Sequence, residues 1–249
     1  IALQLCFLEQ VAILFHWQMG WAKLAGPVLL FAHGAQASAA PSCLCLFDVD
    51  RTLTGQQNVA APECPQNQVI PGVKDSAYSG GNLTLSQVGQ SLGSTFCSGC
   101  FVGIVTAGDV SGPNSQERKA LLERFPQSQL LSRQWSGPSS GGEARRACVP
   151  ADAQSTLVAG CLDGTKQEAA KGILSWLSKQ NINISRSAVW HFDDRSNNIL
   201  GFRGTGMNAR QVSCATRDQH EGIGVCGAVL QEVWRQPGVS LCGTENLVV

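Results

Sequence analysis

The sequence contains little charge and few aromatic residues, and these shortages exclude several classes of protein. Of its 249 residues, 14% are charged and 6% are aromatic, with a single tyrosine. The 18 acidic and 18 basic residues cancel, and there is no basic cluster of the kind that binds nucleic acid or an anionic membrane. We therefore expect no nucleic-acid partner.

Regular repeats and an excess of hydrophobic residues are also missing. Glycine is frequent, with 27 residues, but neither a G-X-Y period nor a heptad period occurs, which excludes collagen and coiled coils. The mean hydropathy of +0.00 excludes a protein with many membrane spans. The length and the 43% hydrophobic content suffice for one sizeable core with a small accessory element.

Residues 1–39 are interpreted as a leader, of which 19–39 is the functional part. A short positive segment at Met19–Lys23 precedes the apolar run Leu24–Ala32, and small residues follow it. We expect cleavage near Ala37–Ala39. A spanning helix is disfavoured because the run is shorter than the roughly 20 residues needed, although the apolar residues 11–15 leave a longer leader or signal anchor open.

Cysteine is abundant, with 11 residues, and loss of the leader removes Cys6 and leaves ten. An even number of cysteines in a secreted chain predicts disulfides, with a pairing that the sequence leaves open. The single C-x-x-C motif, Cys97–Cys100, is half of a zinc site at most. Only two histidines, His191 and His220, follow the leader, so a structural disulfide is favoured over zinc.

The leader and the cysteines together predict a secreted protein or one of the secretory-pathway lumen. No stable membrane anchor is expected after leader cleavage. Sequons at Asn82 and Asn183 are compatible with secretion, but the sequence leaves open whether they carry sugar. The oligomeric state is also open.

Short apolar runs bounded by turn residues predict buried strands of a parallel sheet. The predicted strands are Cys43–Phe47, Phe101–Val105, Ser155–Ala159, Ala188–Phe192 and, more weakly, Ala209–Cys214. The segment Gln129–Leu131 is an alternative to Ser155–Ala159 as the third predicted strand.

Helical patterns alternate with these runs. One apolar face has a spacing of three, four and four residues and consists of Leu85, Val88, Leu92 and Phe96. Asn114 and Thr165 are expected to cap two further helices, with Glu117 and Glu168 completing capping boxes. The alternation predicts an α/β fold, a Rossmann-like three-layer sandwich with a mainly parallel central sheet.

The strongest motif follows the first predicted strand. Asp48-Val49-Asp50-Arg51-Thr52-Leu53 places two carboxylates where ligands bind in open α/β sheets. Here the chain resembles the haloacid dehalogenase-like (HAD) superfamily, whose first motif is an apolar strand followed by D-x-D-x-[TV]-[LV]. Similar matches follow in the family's order: Thr106 at the second motif, Lys166 at the third, and Asp193 with Asp194 at the fourth.

The resemblance covers about residues 43–200 and implies a domain organisation. Within the superfamily, the chain looks like a member of a cysteine-rich, secreted group. An HAD-like α/β domain is expected over 40–214, with a small cap or flap over 54–100, where the family inserts the element that sets substrate choice. Residues 215–249 are interpreted as a cysteine-tied C-terminal tail.

The resemblance also implies the catalytic roles. Asp48 is expected to attack phosphorus and form an aspartyl-phosphate, since a carboxylate needs no base to act as nucleophile. Asp50 is expected to protonate the leaving oxygen and then to activate water. Thr106 would bind phosphoryl oxygens, and Lys166 would offset the charge that phosphoryl transfer concentrates.

The implied cofactor is Mg²⁺, which prefers oxygen ligands. Asp48, the backbone carbonyl of Asp50 and Asp193 are the expected ligands. Asp194 is expected to be a second carboxylate ligand or an orienting acid.

Three positions leave alternatives open. Lys171 lies one turn beyond Lys166 and competes for the role of the third-motif lysine. Arg51 replaces the small or short polar residue that is usual in the family, and either contacts substrate or faces solvent. Asn197 or Asn198 stands where the family often has another acid, and can accept a hydrogen bond from a metal-bound water.

The implied function is a secreted Mg²⁺-dependent phosphatase that hydrolyses phosphomonoesters, with a small-molecule or macromolecular phosphoester as substrate. A haloacid dehalogenase is disfavoured because it would need no acid at Asp50. A non-catalytic, disulfide-stabilised binding module of the same fold is the alternative. A thiol oxidoreductase is disfavoured because Cys97 and Cys100 close an apparent helix, whereas a redox C-x-x-C opens one.

Overall fold

The structure is a computed structural model that describes residues 41–218, 220 and 222–243. Its strands in chain order are β1 (Leu44–Phe47), β2 (Gln68–Asp75), β3 (Gly81–Leu85), β4 (Phe101–Thr106), β5 (Trp135–Ser136), β6 (Leu157–Ala159), β7 (Val189–Asp193), β8 (Asn208–Gln211) and β9 (Val239–Ser240). Its α-helices are α1 (Gln87–Ser91), α2 (Gln116–Arg124), α3 (Lys166–Lys179) and α4 (Ser196–Leu200).

Seven of the strands form one parallel sheet in the order β5-β6-β4-β1-β7-β8-β9. In the centre of this sheet, Phe47 of β1 pairs with Ile104 of β4 on one side and with Phe192 of β7 on the other. The carboxyl ends of β1, β4 and β7 therefore lie at the same edge. The other two strands, β2 and β3, pair as an antiparallel hairpin.

Both faces of the sheet are buried, which explains why its strands are continuous apolar runs. Along β1, Cys45 and Phe47 belong to one hydrophobic cluster and Leu44 and Leu46 to another. Residues of α1 and α2 belong to the first cluster, and residues of α3 and α4 to the second. The predicted α/β class with a mainly parallel central sheet is confirmed.

Each predicted strand overlaps an observed one, and the structure decides which segment forms the third predicted strand. Within Ser155–Ala159, β6 pairs with β4, and Thr106 lies beside Ala159. Gln129–Leu131 contains no strand. Ser155 precedes β6 because its hydroxyl turns back to accept the amide proton of Leu157 (3.0 Å).

The predicted helical face from Leu85 to Phe96 is wrong as a single helix. Leu85 ends β3, and α1 covers only 87–91. Ser86 caps α1 by accepting the amide proton of Gly89 (3.1 Å). Beyond α1, Gly93, Ser94 and Thr95 are poor helix formers, and the chain continues in two 3₁₀ turns instead.

The two predicted capping boxes are also wrong. Helix α2 is capped by Ser115, whose hydroxyl accepts the amide proton of the third helical residue (3.0 Å). Asn114 lies outside the helix in the left-handed region, with φ of 59°. At α3, Thr165 occupies the cap position without a capping bond, because its hydroxyl donates to the carbonyl of Leu162 (2.7 Å) and accepts from the amide of Cys148 (3.1 Å).

All ten cysteines of the described residues are paired, which confirms the predicted disulfide bonding. The pairs are Cys43–Cys100, Cys45–Cys97, Cys64–Cys226, Cys148–Cys161 and Cys214–Cys242. The C-x-x-C cysteines therefore bond to the start of β1 and not to each other. Two of the pairs involve the C-terminal tail. Cys64–Cys226 links the tail to the segment before the hairpin, and Cys214–Cys242 links it to the segment after β8. Strand β9 of the tail extends the sheet.

We expect the disulfides to contribute unequally to stability. In the chain-entropy account, the Cys64–Cys226 bridge closes 162 residues and the Cys148–Cys161 bridge closes 13. These loops correspond to about 5 and about 3 kcal/mol, respectively. Guanidinium unfolding of the two Cys→Ser double variants measures the difference, with the oxidised parent as control. Equal losses in the two variants would contradict the chain-entropy account.

Among the described residues, no helix combines the length and apolar character that crossing a membrane requires. The five disulfides are compatible with an extracellular or secretory location. The predicted leader and its cleavage positions lie outside the described residues. Of the two sequon asparagines, Asn183 is exposed, whereas Asn82 is half-buried and bonded through its side chain to Asn58 (2.9 Å).

Candidate active site

The parallel strands bring the predicted acidic motifs to one edge of the sheet. Asp48 directly follows β1, Thr106 ends β4 and Asp193 ends β7. The amide of Asp48 donates to the carbonyl of Phe192 (2.9 Å), which continues the β1–β7 pairing up to the carboxylates. An irregular turn over Val49–Leu53, in which Arg51 is in the left-handed region with φ of 63°, then takes the chain away from the sheet.

Lys166 lies within this group of carboxylates. It is the first residue of α3 and is fully buried, with its Nζ 2.8 Å from Oδ1 of Asp48 and 2.6 Å from Oδ2 of Asp193. Burial disfavours its charge, but the carboxylates of Asp193 and Asp48 outweigh that effect and hold the pKa of Lys166 above its ordinary value. The competing Lys171 pairs with Glu168 on a partly exposed surface (2.6 Å). The structure thus places Lys166 in the site and Lys171 outside it.

Both oxygens of Asp193 are occupied by donors. Oδ1 accepts from the amide of Arg195 (2.8 Å) and from Nδ2 of Asn198 (3.0 Å). Oδ2 accepts from Lys166 (2.6 Å) and lies 3.3 Å from Nε2 of His191. Although burial alone would raise it, the pKa of Asp193 lies well below its usual range because Lys166 and His191 stabilise the carboxylate.

His191 belongs to the core. Its ring is fully buried and stacks on Phe202, with 4.7 Å between the ring centroids. Burial lowers the pKa of His191, although its hydrogen bond to Asp193 opposes the shift. A neutral imidazole is therefore expected here, serving as a support for Asp193.

Asp194 differs from its neighbour because one of its oxygens lacks a partner. Oδ2 accepts the amide proton of Gly224 (2.8 Å), which belongs to the C-terminal tail. Oδ1 is buried and has no hydrogen-bond partner among the described residues. Burial and the charge of Asp193 raise the pKa of Asp194 to about 7. An unpaired buried carboxylate oxygen is costly, so this atom favours a cationic ligand.

The three carboxylates at the sheet edge have the arrangement of a divalent-cation site. Asp48, Asp193 and Asp194 each bring one oxygen within 4.8 Å of the others. Burial and the charge of Asp193 raise the pKa of Asp48 to about 8, despite the opposing effect of Lys166. The single positive charge of Lys166 therefore does not balance these three carboxylates. A set of ligands made only of oxygen atoms is the kind that Mg²⁺ prefers.

Asp50 lies beside a second group of acids. It contributes an oxygen to a cluster with Asp75 and Glu117 in which the oxygens lie within 4.8 Å of one another. Burial, followed by the charges of Asp48, Asp75 and Glu117, raises the pKa of Asp50 well above its ordinary value. A carboxyl group whose pKa is raised in this way is better suited to act as a general acid than an ordinary aspartate.

The loop after Thr106 approaches Asp50 closely at a glycine. A Cβ added to Gly108 would lie 3.2 Å from Oδ2 of Asp50 and 4.0 Å from the hydroxyl of Thr106. The amide of Gly108 donates weakly to the same hydroxyl (3.4 Å). A side chain at residue 108 would therefore crowd the Asp50 carboxylate.

The hairpin brings the only tyrosine of the sequence to this region. Tyr78 lies in the turn between β2 and β3, and its ring centroid is 4.6 Å from the guanidinium carbon of Arg51. Burial raises the pKa of Tyr78 to about 12, and the charge of Asp194 adds to this shift, while a hydrogen bond with Arg195 opposes it. Tyr78 is thus electrostatically coupled to the acids at the sheet edge.

Several residues of the site were assigned another role, or none, from the sequence. Asn198 could accept a hydrogen bond from a metal-bound water, but its Oδ1 accepts from the amide of Gly164 (2.7 Å). Its Nδ2 donates to Asp193 (3.0 Å) and to Asp163 (2.9 Å). Asn197 is exposed. Gly224 was missed, because it lies 30 residues beyond Asp194 in a segment without periodicity. The acids that flank Asp50 were missed for the same reason, since nothing in the local pattern brings distant carboxylates to it.

No family model, curated protein or solved structure matches this chain. The case for a function therefore depends on the geometry of the site itself.

Proposed function

We propose that the protein is a Mg²⁺-dependent phosphatase of the HAD type that hydrolyses phosphomonoesters through an aspartyl-phosphate on Asp48. The observation that carries the proposal is the fully buried Lys166, which holds Asp48 and Asp193 at the carboxyl edge of the sheet. A buried lysine between two acids is expensive to maintain for stability alone. It is well suited to a site that must accommodate a phosphoryl group beside a carboxylate nucleophile.

The first half-reaction uses Asp48 and Asp50. One carboxylate oxygen of Asp48 forms a bond to phosphorus, and the bond from phosphorus to the ester oxygen breaks. Asp50, whose raised pKa favours the protonated form, transfers a proton to the departing oxygen. The alcohol leaves neutral, and the phosphoryl group stays on Asp48.

The second half-reaction regenerates the enzyme. The Asp50 carboxylate takes a proton from water while the water oxygen bonds to phosphorus. The bond between phosphorus and Asp48 then breaks, which releases inorganic phosphate and restores the free carboxylate. In this proposal the Thr106 hydroxyl binds phosphoryl oxygens, and Lys166, which contacts Asp48, offsets their charge.

The residues that would hold Mg²⁺ are Asp48, Asp194 and the backbone carbonyl of Asp50. Asp194 is preferred over Asp193 as the acidic ligand because its Oδ1 lacks a partner, whereas both oxygens of Asp193 already accept hydrogen bonds. Asp193 would then position Lys166. When bound, the ion supplies positive charge against the phosphoryl oxygens and keeps Asp48 ionised.

The finer features of the fold belong to the same proposal. Residues 54–100 form a hairpin and short helical turns, which we interpret as a small flap over a three-layer Rossmann-like domain. A flap of this size would leave the site accessible to small or macromolecular phosphoesters. The predicted leader and the five disulfides support the proposal that the enzyme acts outside the cell or in the secretory-pathway lumen.

We expect the two neighbouring aspartates to differ when each is changed to asparagine. Asp194→Asn should raise the Mg²⁺ concentration for half-maximal activity by about 10- to 100-fold, with recovery at high Mg²⁺, because it removes a charged ligand. Asp193→Asn should instead lower kcat at saturating Mg²⁺, because Lys166 loses an ion pair. Phosphatase assays over a Mg²⁺ titration test this, with Glu123→Gln as an exposed control. The opposite pattern would exchange the two roles.

The proposal as a whole is tested by turnover and by trapping. Phosphomonoesters should be hydrolysed only with Mg²⁺, and rapid acid quenching followed by peptide mass spectrometry should find a phosphoryl group on Asp48. If no phosphomonoester is hydrolysed, the alternative of a non-catalytic binding module replaces the proposal.

A further inference from the structure

A pocket of about 410 Å³ is lined by residues that follow or bond to acids of the site, although none of those acids lines it. It is formed by the turn after β1, the hairpin turn and the C-terminal tail, and its lining includes Arg51, Gln56, Tyr78, Asp218, Gly224 and Val225. Two residues connect it with the site: Arg51 directly follows Asp50, and Gly224 donates its amide proton to Asp194 (2.8 Å). A substrate whose phosphoryl group lies at Asp48 can therefore extend into this pocket.

Arg51 is buried in the pocket wall with few partners. Arg51 is only 5% exposed, and its Nε has no hydrogen-bond partner among the described residues. Nη1 makes two long bonds, each of 3.4 Å, to Oε1 of Gln56 and to the carbonyl of Val225. Among the described residues, no carboxylate lies within ion-pair distance of Arg51. A guanidinium that lines a pocket with only long hydrogen bonds and without a carboxylate in contact favours the binding of an anion.

The hairpin holds this guanidinium in place. The ring of Tyr78 covers it at 4.6 Å, a cation–π contact that leaves the in-plane donors for other partners. The hydroxyl side of Tyr78 interacts in turn with Arg195. Arg51 and Arg195 each directly follow an acid of the site, so the two motifs meet at one tyrosine. This arrangement fixes the orientation of Arg51 before any ligand arrives.

Building on the proposed phosphatase activity, we propose that Arg51 binds a second anionic group of the substrate. The substrate class is then a phosphomonoester whose alcohol part carries a carboxylate or a further phosphate, both of which match the planar guanidinium. Asp218 lines the same pocket. The negative charge of Asp218 repels an anion, so the anionic group of the substrate is expected at the Arg51 end of the pocket.

The test compares probes that differ in charge and not in shape. We would measure kcat/KM with Mg²⁺ for 3-carboxyphenyl phosphate and for the neutral 3-carbamoylphenyl phosphate. A hydrogen-bonded ion contact predicts a preference for the carboxylate of about 10- to 100-fold. The ratio should approach one in Arg51→Gln and stay at the wild-type value in the exposed-arginine control Arg203→Gln. A bisphosphate on the same ring shows whether phosphate serves as well as carboxylate.

The outcomes separate the pocket from the phosphatase activity. If the wild type hydrolyses both probes with equal kcat/KM, the assignment of the pocket is overturned and the proposed function stands. If neither probe is hydrolysed, calorimetry with 3-carboxybenzyl and 3-carbamoylbenzyl phosphonates decides. An Arg51-dependent preference for the carboxylate then retains the pocket without the reaction, and equal affinities overturn it. Should Arg51→Gln fail to fold, Arg51→Met keeps the length of the side chain without its charge, and an unchanged ratio in that variant overturns the assignment.

Discussion

Asp48→Asn is expected to abolish phosphatase activity on every phosphomonoester, with a loss of at least about 10⁴-fold in kcat. The amide keeps the shape and volume of the carboxylate but has no charged oxygen that can bond to phosphorus. Both aryl and alkyl phosphates should lose activity, because each must transfer its phosphoryl group to Asp48 before it can be hydrolysed. Activity assays together with mass spectrometry of quenched samples measure it, and no phosphoryl group should be found on residue 48.

The control for this variant must separate chemistry from folding. Asp48 lies against Lys166 in the core of the site, so circular dichroism and guanidinium unfolding should show that Asp48→Asn is folded. Asp152→Asn provides a matched change at an aspartate outside the site, where the carboxylate pairs with the exposed Arg146. That variant is expected to keep wild-type turnover. Wild-type-like turnover by Asp48→Asn would refute the role of Asp48 as nucleophile.

Asp50→Asn is expected to produce a loss that depends on the leaving group. General acid catalysis contributes about 10²–10⁴ in rate, and that contribution matters most when the departing oxygen is strongly basic. Alkyl phosphates should therefore lose close to the full amount. Aryl phosphates, whose phenolate leaves with little protonation, should lose much less in the first half-reaction.

The same variant should change which step is slow. Without the Asp50 carboxylate, water is not deprotonated as it attacks, so the aspartyl-phosphate on Asp48 should accumulate with an aryl substrate. A burst of phenol release followed by a slow phase is the expected kinetic signature. The comparison requires an aryl and an alkyl phosphate at saturating Mg²⁺. Equal losses on both substrates without a burst would remove Asp50 from the role of general acid.

Much of the fold follows from local patterns, and the errors have a local cause. The apolar runs at Cys43–Phe47 and Phe101–Val105 are buried on both faces, so hydrophobicity alone marks them as strands. The segment from Leu85 to Phe96 satisfied a helical spacing although its first residue ends β3. Short segments carry too few residues for a period of 3.6 to be distinguished from chance. In the structure, pairing with β2 makes Leu85 the end of a strand and not part of a helix.

The position of the site was predictable because of one general property of parallel sheets. Acids that follow strands meet at the carboxyl edge, so Asp48 and Asp193 could be brought together from their order in the sequence. The choice between Lys166 and Lys171 could not, because both lie near the start of the same helix. Only the placement of α3 against the strand ends brings the first lysine to 2.8 Å from Asp48 and leaves the other on the surface.

The sequence by itself determined the fold class, the order of the acidic motifs and the presence of disulfides, since each of these depends on residue type and local spacing. Only the tertiary structure decided the disulfide pairing, the unequal surroundings of Asp193 and Asp194, and the partners of Arg51. The physical reason is the same in all three cases. Each depends on contacts between segments that are far apart in the chain, such as Gly224 at Asp194 and Tyr78 at Arg51, and no local pattern records which distant segments meet.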